Sequence, residues 1–353
     1  MLFINARGSG LNQKRFLEFM NFTADGYFKD NDALRKPDFF YAFLPVSTAC
    51  NISGRECRQR RLLLNNKRKM KKIIIISGPT ACGKTEKAVE ICKKENGEII
   101  SCDSRQVYKY LDIGTNKEGF LMENGLRETG GIFQHLTDII EPDKSYSAAD
   151  FVKDAGRAVD EITAKGKLPV VTGGTGLYIK ALLYGLDEMP KADAQFREKL
   201  KGLSAGELYR RLVSLDPEAA HKNQNNPQRL LRALEVNALS GKTMAEHFNP
   251  KKPKYDFIHY SIAAENKKLY EKINKRCKEM IDKGMIEETK KVLETGFAKN
   301  CPGLSGIGYR HIVRYLDNEI SKEILLEEFS KDTRHYAKRQ NTWFRAQPDI
   351  YFI

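Results

Sequence analysis

The sequence predicts an α/β fold, a parallel sheet flanked by helices, with an all-helical insertion. Two observations predict it. After residue 70, short apolar runs alternate with helical patterns, which is typical of parallel strands joined by crossover helices. Residues 187–250 instead contain helical segments with polar connections and no strand pattern. In a parallel sheet of this kind, ligands bind outside the carboxyl ends of the strands.

Residues 1–69 differ from the rest of the chain and are predicted to lie outside the folded core. They show no sustained periodicity, and five acidic residues before position 40 argue against a transit peptide. They end in a basic cluster formed by Arg58, Arg60, Arg61, Lys67, Arg68 and Lys69. Because Met70 leads directly into the first strand, we expect that Met70 is the natural start or that the leader is disordered.

The strands of the core are predicted from short apolar runs. Residues 73–76 are four isoleucines, and a short β-branched run predicts a strand buried on both faces. Similar runs lie at 98–102 (EIISC), 168–172 (LPVVT) and 255–263 (YDFIHYSIA). We therefore expect a ligand site at the carboxyl ends of the first three strands.

Helices are predicted between and after these strands. A helix over 148–164 has Ser147 as a suitable N-cap, and others cover 86–94, begin at Leu177, and span 266–294 and 321–345. The chain then divides into a leader (1–69), a P-loop core (70–186), a helical insertion (187–250), and a return to the core with basic C-terminal helices (251–353).

The segment after the first strand carries the strongest motif. Gly78 to Thr85 match G-x-x-x-x-G-K-[ST], the phosphate-binding P-loop. Its backbone N–H groups can surround phosphate oxygens, Lys84 adds a positive charge, and Thr85 can bind Mg²⁺. The alternative is a glycine-rich turn without a ligand. The strand before it and the helical pattern after it favour a diphosphate or triphosphate site.

Two further strand ends bear on the chemistry. Asp103 follows the second strand, where it could act as a general base or simply bond its own backbone in a turn. The third strand ends in Gly173-Gly174-Thr175, without the acidic residue that P-loop ATPases use to hold Mg²⁺. This favours a diphosphate that departs as a leaving group over ATP hydrolysis.

The charge of the chain favours an anionic partner. Residues 1–69 carry 13 Lys or Arg and 6 Asp or Glu, and residues 70–353 carry 47 and 40, so each part contributes +7 to the total of +14. Nucleic acid is the obvious partner, and the alternative is an ordinary basic enzyme for small phosphates.

The last predicted helix carries part of this charge. A basic stripe on one face consists of Lys331, Arg334, Lys338 and Arg345. Arg339, Tyr336, Trp343 and Phe344 lie nearby, and basic and aromatic side chains together suit RNA. The alternative is a solvated face with its aromatic residues in the core.

Cysteine spacing and hydropathy indicate the compartment. The seven cysteines are scattered, without CxxC pairs or zinc-type spacing, which is typical of reduced thiols in the cytoplasm. No run of 18 apolar residues is present, so no membrane-spanning helix is expected.

Eight motifs in order resemble the tRNA isopentenyltransferase family, over about residues 70–345. They are GPTACGKT (78–85), CDSRQVYKYLDIGTNK (102–117), YSAADF (146–151), GGTGLYIKALLYGL (173–186), NPQRLLRALEV (226–236), SGKT (240–243), GIGYR (306–310) and AKRQNTWFR (337–345). Many families share a P-loop, but this ordered set is highly specific. The fold implied is a P-loop kinase-like core with a helical insertion.

The resemblance implies transfer of a dimethylallyl group from dimethylallyl diphosphate to the exocyclic amine of an adenosine. That adenosine lies next to the anticodon, on its 3′ side. The implied partners are the tRNA anticodon stem-loop and dimethylallyl diphosphate, and the implied cofactor is Mg²⁺. The family also implies a monomer of the short bacterial form.

The resemblance further implies roles for individual residues. Asp103 would be the base, with Thr80 and Arg276 as the other catalytic residues. The diphosphate site would comprise Gly78, Pro79, Thr80, Ala81, Cys82, Gly83, Lys84, Thr85 and Thr175, with Thr85 also binding the metal. The tRNA site would comprise Asp103, Ser104, Arg105, Gln106, Leu182, Gln228, Arg229, Leu230, Leu231, Arg232, Ser305, Gly306, Ile307, Gly308, Tyr309 and Arg310.

Some features depart from the family pattern, and three other functions compete. Cys82 stands where serine is frequent, and Gln134-His135 stands where His-His is frequent. The competing functions are a P-loop kinase for a small molecule, a prenyltransferase for free adenine nucleotides, and a non-catalytic RNA-binding protein. The last leaves the intact P-loop and Asp103 unexplained.

Overall fold

The computed structural model describes residues 70–249 and 251–353. The leader, residues 1–69, lies outside the described residues, so its disorder and the start at Met70 stay predictions.

The core is an eight-stranded sheet with the order β3-β4-β5-β2-β6-β1-β7-β8. Its strands are β1 Lys72–Ser77, β2 Gly97–Ser101, β3 Phe120–Leu121, β4 Arg127–Thr129, β5 Ile132–His135, β6 Leu168–Gly173, β7 Asp256–Ser261 and β8 Tyr351–Phe352. The six strands from β5 to β8 in this order pair in parallel, and β3-β4-β5 pair antiparallel. The expected parallel α/β sheet is confirmed.

Eleven α-helices are seen in the described residues. They are α1 Lys84–Glu95, α2 Ala148–Ala164, α3 Gly176–Tyr184, α4 Ala194–Lys199, α5 Ala205–Leu212, α6 Pro217–Asn223, α7 Pro227–Ser240, α8 Asn266–Asp282, α9 Met285–Glu294, α10 Tyr309–Leu316 and α11 Lys322–Arg345. Two short 3₁₀ turns cover Ala245–His247 and Gly303–Ser305. None of the helices in this part of the chain is both long and apolar enough to cross a bilayer.

One expected helix is in fact two. The prediction of a single helix over 266–294 is wrong, because α8 ends before Gly284 and α9 begins after it. Gly284 has φ +100°, a conformation that side chains other than glycine rarely adopt. The helical periodicity continues across this break, which hides it from a pattern search.

The sheet is buried because helices cover both of its faces. Successive residues of β1 point to opposite faces, so Ile75 packs with α2 and α3 while Ile76 packs with α1. Both isoleucines are fully buried. The capping of α2 by Ser147 is confirmed, since its hydroxyl accepts a hydrogen bond from the backbone of Asp150, whose carboxylate bonds back to Ser147.

The register of the central strands brings four carboxyl ends to one level. Ser77 at the end of β1 pairs with Gly173 of β6 and with Ser261 of β7. On the other side of β6, Ser101 at the end of β2 pairs with Thr172. The loops that follow β1, β2 and β6 therefore leave the sheet side by side.

Between residues 187 and 249 the described elements are helical. Helices α5, α6 and α7 have a hydrophobic cluster of their own, in which Leu212, Ala220 and Leu230 are fully buried. This cluster contains no residue of the sheet, so these helices form a separate packing unit within the fold.

A buried carboxylate holds this helical unit together. Glu235 of α7 is fully buried and accepts hydrogen bonds from Arg197 Nε and Nη2 at 2.8 and 2.9 Å. It also accepts hydrogen bonds from Arg232 Nη1 at 2.5 Å and from the backbone N–H of Asp193 at 2.8 Å. Burial alone would raise the pKa of Glu235, but these hydrogen bonds outweigh it and lower the pKa to about 2.

We predict that Glu235 stabilises the fold in a pH-dependent way. Because its folded pKa lies below the unfolded value, its contribution is present above about pH 4.3 and is lost as the pH falls through about 2. Glu235→Gln should cost about 1.5–3 kcal/mol at pH 7, the usual value of hydrogen bonds to charged groups, and less at pH 3. Urea unfolding followed by circular dichroism at both pH values measures this.

Glu218→Gln is the control for this experiment. Glu218 lies on α6 in the same unit but is exposed. Its variant should unfold like the wild type at both pH values. An equal loss of stability for Glu235→Gln at pH 7 and pH 3 would contradict the linkage.

Candidate active site

The loop between β1 and α1 is folded for anion binding. Gly78 and Gly83 have φ values of +144° and +89°, and Ala81 has φ +66°. A Cβ on Gly78 would lie 2.9 Å from Cys82 Sγ and 3.1 Å from the carbonyl oxygen of Ile262, so glycine is required there. Gly83 is the N-cap of α1 and provides no side-chain cap, which leaves the helix N-terminus open to an anion.

Two cations lie against this loop. Lys84 donates a hydrogen bond to the carbonyl oxygen of Pro79 at 2.6 Å, and Arg276 of α8 donates to the hydroxyl of Thr80. Burial lowers the pKa of both cations. In Lys84, the neighbouring positive charge of Arg276 lowers the pKa further, whereas Asp103 raises it. Two desolvated positive charges so close together favour the binding of an anion between them.

Arg276 is a residue whose place the helix pattern could have shown. The buried face of α8 contains Leu269, Ile273, Cys277 and Met280. Arg276 lies three residues after Ile273 and four before Met280, so a cation borders an apolar face. Such a cation needs a partner inside the protein, and here that partner is the phosphate loop.

Asp103 lies directly after β2, beside the phosphate loop. Its Oδ1 accepts a hydrogen bond from the backbone N–H of Arg105 at 2.8 Å, which is the local turn considered as the alternative role. The two roles are compatible, because the described part of the chain shows no hydrogen bond to Oδ2. That oxygen remains available to accept a proton.

The turn after β6 brings Thr175 to the same place. Thr175 accepts a hydrogen bond from the backbone N–H of Ser104 at 3.2 Å and donates its own N–H to the carbonyl of Cys102 at 3.3 Å. A Cβ on Gly173 would lie 2.1 Å from that carbonyl oxygen. The missing side chain of Gly173 is therefore what allows the loops after β2 and β6 to touch.

Helix α11 closes the site from the other side, through residues to which sequence reasoning gave no role there. Gln340 is 6% exposed; its Oε1 accepts from the backbone N–H of Thr80 at 2.8 Å, and its Nε2 donates to the carbonyl of Gly174 at 3.0 Å. One turn earlier, burial and then the charge of Asp103 raise the pKa of the Tyr336 phenol, while the neighbouring Thr175 lowers it. The sequence feature that could have indicated this role is a polar residue, Gln340, on the helix face that also buries Ala337 and Phe344.

The aromatic residues of α11 pack inward. Phe344 is buried in the core, and Trp343 is half-buried, edge-to-face with Phe344 and directly against Gly176. The alternative of core aromatics is confirmed for these two. Of the basic stripe, Lys331, Lys338 and Arg345 are exposed, while Arg334 donates a hydrogen bond to Asn274.

Arg105 and Gln106, both predicted to contact tRNA, have internal partners. Arg105 Nη2 donates to the carbonyl oxygens of Pro302, at 2.9 Å, and Gly303. The side chain of Gln106 accepts from Ser101 Oγ at 2.8 Å, and its Nε2 donates to two backbone carbonyls in the turn at 115–116. In this conformation, both side chains position loops around Asp103.

The remaining predicted tRNA contacts divide by exposure. Gln228, Arg229, Ser305 and Arg310 are exposed, and Ser104, Leu231, Arg232 and Ile307 are partly exposed. The buried members of the set are Leu182, Leu230, Gly306, Gly308 and Tyr309. Tyr309, for example, donates its hydroxyl to Glu288 at 2.6 Å. The tRNA contacts of the whole set stay predictions.

Comparison with known proteins places this site in a family. A sequence model described as IPP transferase matches residues 106–347. The chain is 69% identical over 288 residues to the tRNA dimethylallyltransferase of Endomicrobium trichonymphae, with 82% of this chain and 96% of the relative covered. The chain belongs to the IPP transferase family. The tRNA dimethylallyltransferase of Acetivibrio thermocellus is 42% identical over 293 residues, with 80% and 92% covered.

Solved structures of IPP transferases share the fold. The tRNA isopentenylpyrophosphate transferase from Bacillus halodurans is 34% identical with a TM-score of 0.58, and the match covers 80% of this chain and 89% of that one. A eukaryotic dimethylallyltransferase, described as acting on tRNA, is 28% identical with a TM-score of 0.66, covering 80% and 73%. The resemblance drawn from the ordered motifs is thereby confirmed.

We predict that Lys84→Ala weakens the binding of dimethylallyl diphosphate about 10-fold to 100-fold. The variant removes one charge-assisted hydrogen bond, for which about 1.5–3 kcal/mol is usual. Isothermal titration with the diphosphate measures the change. Lys93→Ala, at the exposed far end of the same helix, is the control and should bind like the wild type. Unaltered affinity in Lys84→Ala would refute the phosphate-loop assignment.

Proposed function

We propose that this protein transfers a dimethylallyl group from dimethylallyl diphosphate to N6 of the adenosine 3′-adjacent to the anticodon in tRNA. The observation that carries the proposal is the placement of one carboxylate, Asp103, beside a phosphate loop with two desolvated cations, Lys84 and Arg276. A base and a site for an anionic leaving group are then adjacent, as an alkyl transfer from a diphosphate requires. The similar proteins from Endomicrobium trichonymphae and Acetivibrio thermocellus are both named tRNA dimethylallyltransferase, which supports this proposal.

The reaction forms one bond and breaks one. The N6 nitrogen bonds to the allylic carbon while the bond between that carbon and the diphosphate oxygen breaks. As this bond forms, the amine loses one proton, which we assign to Oδ2 of Asp103, since Oδ1 is held by the backbone of Arg105. A base is needed because the lone pair of an adenine amine is delocalised into the ring and becomes nucleophilic only as the proton leaves.

Negative charge grows on the diphosphate as it departs. Lys84, Arg276 and the N–H groups at the start of α1 are already fixed around the place that it would occupy. Fixed donors stabilise developing charge without reorganising during the reaction. Thr80 contributes by its hydroxyl, which orients Arg276, and Thr175 by its hydroxyl at the opposite wall.

The residues present fit Mg²⁺ carried by the diphosphate. Within residues 70–249 and 251–353, no cluster of three or more His, Cys, Asp or Glu could hold a metal by itself. Mg²⁺ in phosphate sites is commonly bound by one or two protein oxygens plus the phosphates, and the hydroxyl of Thr85 at the start of α1 would be one such ligand. The ion supplies additional neutralisation of the diphosphate.

The tRNA would be held by exposed basic residues around this site. Residues 70–353 carry a net charge of +7, and Arg229, Arg310 and Lys338 are among their exposed cations. The target adenine must leave the stack of its loop to reach Asp103, as in enzymes that flip bases. We expect a monomer acting in the cytoplasm.

Donor and acceptor tests separate the competing functions. A small-molecule kinase would consume ATP, whereas the proposed enzyme consumes dimethylallyl diphosphate in the presence of tRNA. A prenyltransferase for free nucleotides would accept AMP as well as tRNA. Transfer to AMP at the same kcat/KM as to tRNA, or consumption of ATP alone, would refute the proposal.

We predict that Asp103→Asn lowers turnover about 10²-fold to 10⁴-fold, the usual contribution of general base catalysis. Asparagine can still accept the N–H of Arg105, so the loop and the affinity for tRNA should be retained. Single-turnover rates and filter binding measure the two effects. Asp103→Ala removes the turn bond as well as the base, so the difference between Asp103→Ala and Asp103→Asn measures the effect of the loop alone. Unchanged turnover in Asp103→Asn would remove Asp103 from the mechanism.

We predict that Arg229→Ala weakens tRNA binding and lowers the slope of log K against log salt by about 1, as expected for one lost phosphate contact. Arg229 is exposed at the start of α7, where its backbone N–H donates to Asn226 Oδ1, and its side chain shows no partner in the described part of the chain. Arg211→Ala, an exposed arginine on α5 of the same unit, is the control and should retain the wild-type slope. Equal effects of both variants would indicate diffuse attraction and contradict a contact by Arg229.

A further inference from the structure

The proposed function gives roles to the P-loop and Asp103, but it does not explain why a glutamine is buried between the P-loop and the turn after β6. Gln340 is the polar residue of α11 that reaches both the phosphate loop and the turn after β6. Its Oε1 lies 2.8 Å from the N atom of Thr80, and its Nε2 lies 3.0 Å from the O atom of Gly174. We propose that Gln340 is the positioning residue that fixes the phosphate loop for the donor diphosphate.

The two hydrogen bonds are of opposite kinds, and this fixes the orientation of the amide. Oxygen faces the N–H of Thr80, and nitrogen faces the carbonyl of Gly174, so neither contact can be satisfied if the amide is reversed. Gln340 is 6% exposed, so water cannot easily replace either contact. One side chain therefore sets the distance between the loop after β1 and the loop after β6.

The space around Gln340 is made for it. A Cβ on Gly174 would lie 2.0 Å from Nε2, so the glycine admits the amide to this position. The neighbours of Gln340 on α11 hold the helix in place, since Tyr336 lies beside Thr175 and Trp343 packs on Gly176. Three side chains of one helix face thus contact three successive residues of the turn, 174–176.

The contact also divides the N–H groups of the loop into two sets. Because the N–H of Thr80 is already engaged by Gln340, that group is not available to the diphosphate. The groups that remain for the ligand are those at the start of α1, where no side chain caps the helix. Gln340 would act by holding the loop, without touching the donor itself.

The Gln340→Met variant tests whether Gln340 positions the phosphate loop, because methionine has a similar length but makes neither hydrogen bond. We expect the Kd of dimethylallyl diphosphate to rise about tenfold, as for the loss of about 1.4 kcal/mol, while the Kd of tRNA changes less than about twofold. Gln347→Met is the matched control, because the Gln347 side chain, just beyond the same helix, donates to the carbonyl of Trp343, and within the described residues it shows no bond to the phosphate loop or the turn after β6. Unchanged donor affinity, or equal losses for donor and tRNA, would overturn the proposal.

Amide exchange in the wild-type protein tests the same contact without a variant. We expect the N–H of Thr80 to exchange slowly before inorganic diphosphate is added and equally slowly afterwards, whereas the N–H groups of residues 83–85 become protected only with the ligand. An exposed Thr80 amide that diphosphate protects would overturn the proposal, even if Gln340→Met failed to fold.

The inference rests on the proposed function, but the two can fail separately. Wild-type protein that binds inorganic diphosphate and shows the expected exchange, yet transfers nothing to tRNA, would refute the function and leave the role of Gln340 intact. Wild-type protein that prenylates tRNA, with unchanged donor affinity in Gln340→Met, would refute only the role of Gln340.

Discussion

The burial of two positive charges at one strand end is the constraint on which the rest of the site depends. Lys84 and Arg276 come from distant parts of the chain. Burial beside the same phosphate loop lowers the pKa of each. Placing like charges together costs free energy that the fold must offset elsewhere. An anionic ligand would relieve that cost, so the arrangement favours affinity for an anion over stability of the free protein.

Close backbone approaches make this placement possible. The loops after β1, β2 and β6 leave the sheet at one level because of the strand register. Gly173 lets the loop after β6 touch the loop after β2, and Gly174 admits the amide of Gln340. The turn after β6 thus consists of closely packed glycines where P-loop ATPases have an acidic residue, which is consistent with the proposed role of the diphosphate as a leaving group.

Local signals predicted much of this structure. The isoleucine run of β1, the P-loop and the Ser147 cap are each determined within a few residues, and the structure agrees with them. Strands β3 to β5 were not predicted, because two to four residues carry too little pattern. The break at Gly284 was not predicted, because the helical periodicity continues across it. The long-range contacts of Arg276 and Gln340 depend on tertiary packing, which sequence spacing does not record.

The same limit explains the predicted RNA contacts. Family motifs mark which segments matter but do not say which side chains face outward. Leu182 and Leu230 pack in two different cores, and Arg105 and Gln106 are engaged by neighbouring loops. We therefore propose that these segments contribute to RNA binding through the residues they expose and through the loops that they hold in place.

The central claim is tested most directly by the product. Protein with Mg²⁺, radiolabelled dimethylallyl diphosphate and unmodified tRNA with adenosine 3′ of its anticodon would be incubated, digested and analysed as nucleosides. The account predicts label in N6-dimethylallyladenosine from that one position, and in no other nucleoside. Full-length protein and protein starting at Met70 that both bind tRNA and the diphosphate but leave the adenosine unlabelled would contradict it.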